Sequence, residues 1–147
     1  MTDLRAGIIT QTLPLPQPNL DNLEFYEATR RGELRFQRCS DCGAWRHYPR
    51  PACPDCQSRN FRWELASGRG RVYSWTIVHG PTLPAFQEDL PYNVVDVLTD
   101  EGLHFQSQIL DCPPHEIREG MRLEAVFVPI DEEITLVKFR RAQGDIA

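Results

Sequence analysis

No stretch of the chain approaches the roughly 18 consecutive apolar residues of a membrane-spanning helix, so no membrane partner is expected. The opening residues, Met1-Thr2-Asp3-Leu4-Arg5, contain no basic region followed by an apolar run. No secretory leader is therefore expected, and a reducing cytoplasm is the expected location. There, paired cysteines serve as metal ligands more often than as disulfides. G-x-S-x-G, a Walker sequence and a dinucleotide fingerprint are also missing, which removes the usual signs of a serine acyl-transfer centre, a phosphate loop or a nicotinamide site. There is no internal repeat. Nor is there an excess of positive charge: 16 Lys and Arg against 21 Asp and Glu leave a net charge of -5. That balance argues against nucleic acid as the default partner, because phosphate binding needs a basic face.

What the chain does have is unevenly distributed. Its 147 residues suit one domain, or a small metal-stapled module beside a compact all-β domain. From Glu24 to Val72 there are ten Arg and six acidic residues, a local charge of +4. From Tyr73 onward there are five basic and thirteen acidic residues, a local charge of -8. The basic half carries either solvated arginines or a patch for an anionic ligand or an acidic partner surface.

Cysteines occur as Cys39-x-x-Cys42 and Cys53-x-x-Cys56, with ten residues between the pairs. Each pair places two thiolates on one tight turn, and two such turns complete a tetrahedron around zinc with bonds of about 2.3 Å. Gly43 follows the first pair, where the turn needs a permissive backbone, and Pro54 lies inside the second. Iron in a rubredoxin-like site and paired disulfides are the alternatives. Four thiolates leave no open coordination position, so the metal is expected to be structural. It would supply folding energy to a module with little core of its own. Cys112 stands apart and reads as a small, at least half-buried thiol. His47, His79, His104 and His115 are scattered, and none lies in a triad context.

The local patterns place these residues. Pro14, Pro16 and Pro18 block a helix, so residues 1–20 are expected to form an extended arm, one able to wrap another subunit. A short helix is expected over about 22–31, capped by Asp21 with Glu24 three residues on. Leu23, Tyr26 and Phe25 supply its apolar stripe, and Gly32 its end. Alternating segments at 34–38 and 61–65 flank the cysteine module as strands. Ser67-Gly68-Arg69-Gly70 reads as a hinge. Strands are then expected at 71–79, 92–98, 103–110, 122–128 and 134–140. In the first of them Val72, Ser74, Thr76 and Val78 face one way, and Tyr73, Trp75, Ile77 and His79 the other. Five short strands in about 75 residues suit a small closed barrel. The expected division is an arm at 1–20, a helix and cysteine module at 21–66, and a barrel at 67–147. Trp63, Arg69, Arg71, Tyr73 and Trp75 interleave cations with aromatics around the hinge. The aromatics either fill the barrel and the contact between modules or form a stacking face for a base or an adenine ring. Phe86, in an apolar loop at 81–91, is a candidate contact for a partner or an apolar ligand.

Taken in order, Arg31-Gly32-Glu33-Leu34, Gln37-Arg38-Cys39-x-x-Cys42-Gly43, Tyr48-Pro49-Arg50-Pro51, Cys53-Pro54-x-Cys56 and Ser67-Gly68-Arg69-Gly70-x-Val72-Tyr73-Ser74-Trp75 resemble a bacterial and archaeal family. Its members join a rubredoxin-like zinc ribbon to an OB-fold and are often called acyl-CoA-associated. The likeness runs over about residues 22–140. It implies a mainly β fold, in which an N-terminal helix and zinc ribbon precede a five-stranded OB-fold barrel. It also implies a small non-catalytic partner of thiolase-like enzymes within a hetero-oligomer. Some members support a thiolase and hydroxymethylglutaryl-CoA synthase pair; others join a thiolase-fold aldolase that cleaves side chains from steroid-CoA thioesters. Under this reading the cofactor is structural Zn2+ at Cys39, Cys42, Cys53 and Cys56. Arg69, Arg71, Tyr73, Trp75 and Phe86 are then candidate contacts for acyl-CoA or the partner, because guanidinium forks suit phosphates. Two other functions are a single-stranded nucleic-acid-binding module and a stand-alone acyl-CoA enzyme using His79 or His115.

Overall fold

A computed structural model describes residues 13–144. The first twelve residues of the expected arm lie outside that range. Helix α1 spans Leu23–Arg30. Its start differs from expectation. Asp21 does not cap it; Asn22 occupies the cap position without a side-chain capping bond. The first free N–H groups are instead taken up by the Asn19 carbonyl, which accepts from Asn22 and Leu23. Its end is as expected. Gly32, at φ 77°, donates to Thr29 O, and Glu33 donates to Ala28 O. This is the paired closure of a Schellman motif. The buried face is Phe25, Ala28 and Thr29, while Leu23 is exposed.

Strands β1 (Arg35–Cys39), β2 (Trp45–Arg46) and β3 (Phe61–Leu65) form a three-stranded antiparallel sheet in the order β2-β1-β3. Cys39 thus ends β1 opposite Phe61, the first residue of β3. The second sheet contains β4 (Arg69–Val78), β5 (Tyr92–Thr99), β6 (His104–Ser107), β7 (Arg122–Pro129) and β8 (Thr135–Arg141). Its order is β6-β5-β4-β7-β8, antiparallel throughout. The sheet curls into a half-barrel. Its edges meet at one parallel bridge, Ile109 to Phe139, where Phe139 donates to Gln108 O and Leu110 donates to Phe139 O. Five short strands curled in this way are an OB-fold.

One feature breaks the expected alternation. The pairing of β4 with β5 slips between Val72 and Ser74. Tyr73 is the extra residue of a bulge, and a one-residue slip moves all later side chains to the opposite face. Val72 pairs with buried Val97, and Trp75, rather than Ser74 or Thr76, pairs with buried Val95. Trp75 and Ile77 therefore share the concave side with Val72.

A single apolar cluster spans both sheets. Phe25, Leu34 and Phe36 from the helix and first sheet pack with Val72, Val97, Leu123 and Phe139 from the half-barrel. Phe105 is the joint, with ring centroids 6.3 Å from Phe25, 6.1 Å from Phe36 and 5.8 Å from Phe139. The link at Ser67–Gly70 is also held. Ser67 N–H donates to Glu101 Oε1 at 2.6 Å, and Ala125 N–H donates to Gly68 O at 2.7 Å. Gly68 has φ 70°, as a turn requires. Gly70 serves differently: a Cβ there would lie 2.7 Å from Leu98 O and from Val97 Cγ1, so the position needs an absent side chain.

A four-cysteine centre and its surroundings

The two cysteine turns repeat the same backbone pattern. Cys39 N–H donates to Ala44 O and Gly43 N–H to Cys39 O; Cys53 N–H donates to Ser58 O and Gln57 N–H to Cys53 O. The residue after each second cysteine is left-handed, Gly43 at φ 78° and Gln57 at φ 64°. Within each turn the first cysteine is buried and the second exposed. Asp41 ties the turns together, accepting from Ser58 Oγ and, at 3.2 Å, from Asn60 Nδ2.

All four sulfurs lie within 4.8 Å of one another. Cys39 to Cys56 and Cys42 to Cys53 are each 3.6 Å apart. A disulfide needs about 2.05 Å, so paired disulfides do not describe this arrangement. The edge of a tetrahedron with metal–sulfur bonds of about 2.3 Å is about 3.8 Å, close to the observed spacing. Backbone N–H groups of Cys42 and Asp41 hold the Cys39 thiol down to about 6. Those of Cys56 and Asp55 lower Cys53 in the same way. Backbone donors thus favour thiolate, the form that ligates metal, at the first cysteine of each turn, while burial and the neighbouring sulfurs push the Cys42 thiol up to about 12 and raise Cys56. Four sulfurs complete the coordination shell, so the centre is built to hold shape and not to bind a reactant.

Behind the centre lies a buried polar network that the sequence pattern did not reveal. Arg46 Nε donates to Gln37 Oε1 at 2.5 Å, and Arg46 Nη2 donates to Arg50 O at 3.0 Å. Its guanidinium sits over the Phe61 ring, 4.8 Å from the centroid. The only signal was a Gln in the middle of an alternating strand. His47 was also only one of four scattered histidines in the sequence. Its ring stacks on Phe105 at 4.7 Å with 15° between planes. Burial pushes its pKa down to about 4, so it is neutral at pH 7.

The remaining candidates fall on different surfaces. Arg69 and Arg71 are exposed on the outer face of β4. Tyr73, 54% exposed, meets the His104 ring edge-on at 4.7 Å on that same side. Trp75, 39% exposed, lies beyond the bulge on the concave side. Phe86 lies in a 3-10 turn over Pro84–Asp89, near Tyr92. His115 is an exposed residue of the 3-10 turn Pro114–Glu116, and Cys112 is buried.

A pair of two-cysteine knuckles on a small sheet, fused to a curled five-stranded sheet, defines a zinc-ribbon protein with an OB-fold. Residues 27–62 match the family profile "ChsH2, rubredoxin-like zinc ribbon domain", and residues 63–128 match "ChsH2, C-terminal OB-fold domain". The chain belongs to this ChsH2 family, and zinc is the metal its four cysteines fit. It is 38% identical over 131 residues to a "Probable enoyl-CoA hydratase alpha subunit" of Thermomonospora curvata, covering 88% of this chain and 40% of that protein. It is 29% identical over 113 residues to the "3-oxo-4,17-pregnadiene-20-carboxyl-CoA hydratase alpha subunit" of Mycobacterium tuberculosis, covering 77% of this chain and 35% of that protein. The chain thus spans well under half the length of both. Among solved structures, a chain of the "Ltp2-ChsH2(DUF35) aldolase" matches with a TM-score of 0.79 and 36% identity, covering 86% of this chain and 98% of that one. No helix among the described residues is long and apolar enough to cross a membrane.

Proposed function

We propose that this chain is a non-catalytic accessory subunit of a heteromeric enzyme that processes steroid-CoA thioesters. Its partner is a thiolase-superfamily subunit, and the reaction is a retro-aldol cleavage of the side chain. The observation that carries this reading is the near-complete coverage of the ChsH2(DUF35) chain of an aldolase at 36% identity. The closed metal centre supports it, since four sulfurs leave no position for a reactant. The reading is supported by two similar proteins that are alpha subunits of CoA-thioester hydratases by name.

In this role the ribbon and half-barrel supply docking surface and part of the wall of the CoA channel. Arg69 and Arg71, exposed side by side on β4 with Tyr73 beyond them, suit the phosphates and adenine ring of CoA. The compartment for such chemistry is the cytoplasm. Co-expression with a thiolase-like subunit encoded beside this chain tests the proposal. A stable heteromer with retro-aldol activity that neither chain shows alone is expected. Separate elution, with no effect of this chain on the partner's turnover, contradicts it.

A further inference from the structure

Two cavities meet over the seam where the end of β6 passes β8. The larger, about 460 Å³, opens between α1, the His47–Tyr48 turn and the seam. The smaller, about 220 Å³, opens between the seam and the extended segment Leu13–Pro16. Ser107, Gln108, Leu136 and Lys138 line both, so the two adjoin across these residues as a two-part groove. The larger part alone falls in the size range of small-molecule sites, about 300–1,000 Å³.

The walls are flat and apolar at one end. Phe25, Tyr26 and Phe105 line the larger cavity together with His47, whose ring is neutral at pH 7. At the junction sits Lys138, the only lysine in the chain. Its ammonium donates to the neutral Gln108 Oε1 at 2.8 Å. An ammonium has three N–H groups, so it can serve a further acceptor. Asp21 lines the larger cavity, and Asp89 lines the smaller one, near enough for its charge to act on Lys138. Two carboxylates around one ammonium give the groove a formal charge of -1. That charge opposes the phosphates of CoA or a nucleotide and leaves Lys138 as a hydrogen-bond donor to a neutral oxygen.

We propose that this groove binds an uncharged, oxygen-bearing apolar ring compound, with its body against Phe25, Tyr26 and Phe105 and a carbonyl oxygen accepting from Lys138 Nζ. Under the function proposed above, that compound is the acyl portion of the substrate, and to that extent the biological meaning rests on that reading. Binding of a free ring ketone to the zinc-loaded chain does not rest on it.

The probe is progesterone, a two-ketone ring compound, titrated into the full zinc-loaded chain by calorimetry and by amide NMR, with free CoA as comparator. Saturable binding is expected, with shifts at residues 106–108 and 136–138. Lys138→Met should weaken it at least fivefold, and Leu136→Trp, which fills the groove, should abolish it. Thermal midpoints report whether each variant folds. CoA should leave these amides unmoved. No saturable binding, shifts confined to other residues, binding indifferent to both substitutions, or CoA competing for the groove overturns the inference. Progesterone binding without assembly with a thiolase-like subunit would defeat only the proposed function. Assembly without progesterone binding would defeat only this inference.

Discussion

Gln57 holds the backbone position in the second cysteine turn that Gly43 holds in the first, both with positive φ. A side chain in the left-handed region costs about 1 kcal/mol relative to glycine. Gln57→Gly is therefore expected to stabilise the zinc-loaded chain by about that amount, and Gly43→Ala to destabilise it similarly. Chemical denaturation of both variants checks the pair, and a loss of stability in Gln57→Gly would contradict the strain. His47 makes a second residue-scale prediction. Its pKa is about 4 in the folded chain against an ordinary 6.5, so between those values the folded state binds fewer protons than the unfolded state. Stability contributed by the neutral ring is then lost as pH falls from about 6.5 toward about 4, by on the order of 2 kcal/mol. Thiolate protonation at the zinc centre falls in the same range, so the readout is the difference between the wild type and His47→Phe. A wild-type stability that falls no more steeply than that of His47→Phe would contradict it. The four ligands were legible because spacing alone encodes a knuckle. Gln57 and His47 were not, because a left-handed φ and a stacked ring depend on neighbours distant in sequence.

At the scale of elements, strand positions were largely legible and faces were not. Phe61–Leu65 alternates cleanly and is β3 over the expected residues. Arg71–His79 alternates just as cleanly, yet the bulge at Tyr73 reverses its second half. No Gly or Pro marks the bulge; the curl of the sheet decides it, and that curl is a property of five strands together. The helix start misled for a related reason. Asp21 has the chemistry of a cap, but the Asn19 carbonyl reaches the free N–H groups first. Gly70 reads in the sequence as part of the Ser67–Gly70 hinge. It also lies where β4 passes too close to β5 for a side chain, and Gly70→Ala should cost about 1–3 kcal/mol through overpacking. Thermal unfolding checks this. An unchanged midpoint would mean that the strands can part without loss.

At the scale of the whole molecule, the two halves differ in charge but share one core. The ring cluster around Phe105 ties the metal-bearing sheet to the half-barrel, so their relative orientation does not depend on the Ser67–Gly70 link alone. The described part of the proline arm lines a cavity on its own half-barrel, beside Phe86, Tyr92 and Ile130. Alternating prolines made its extension legible; where it docks required the folded surface. The zinc centre acts at this scale. It holds β1 and the loop that follows β2 in the positions from which Phe36 and His47 reach Phe105. Loss of metal should therefore remove the proposed docking surface before it affects any bond-making step.

The direct measurement is size-exclusion chromatography of Cys39→Ser co-expressed with the thiolase-like subunit of the proposed function, with zinc content and turnover measured on the same fractions. The account predicts loss of zinc, loss of the heteromer, and a fall in activity in proportion to the heteromer lost. A variant that assembles fully and loses only catalysis would contradict it, because the four cysteines would then belong to the chemistry and not to the scaffold.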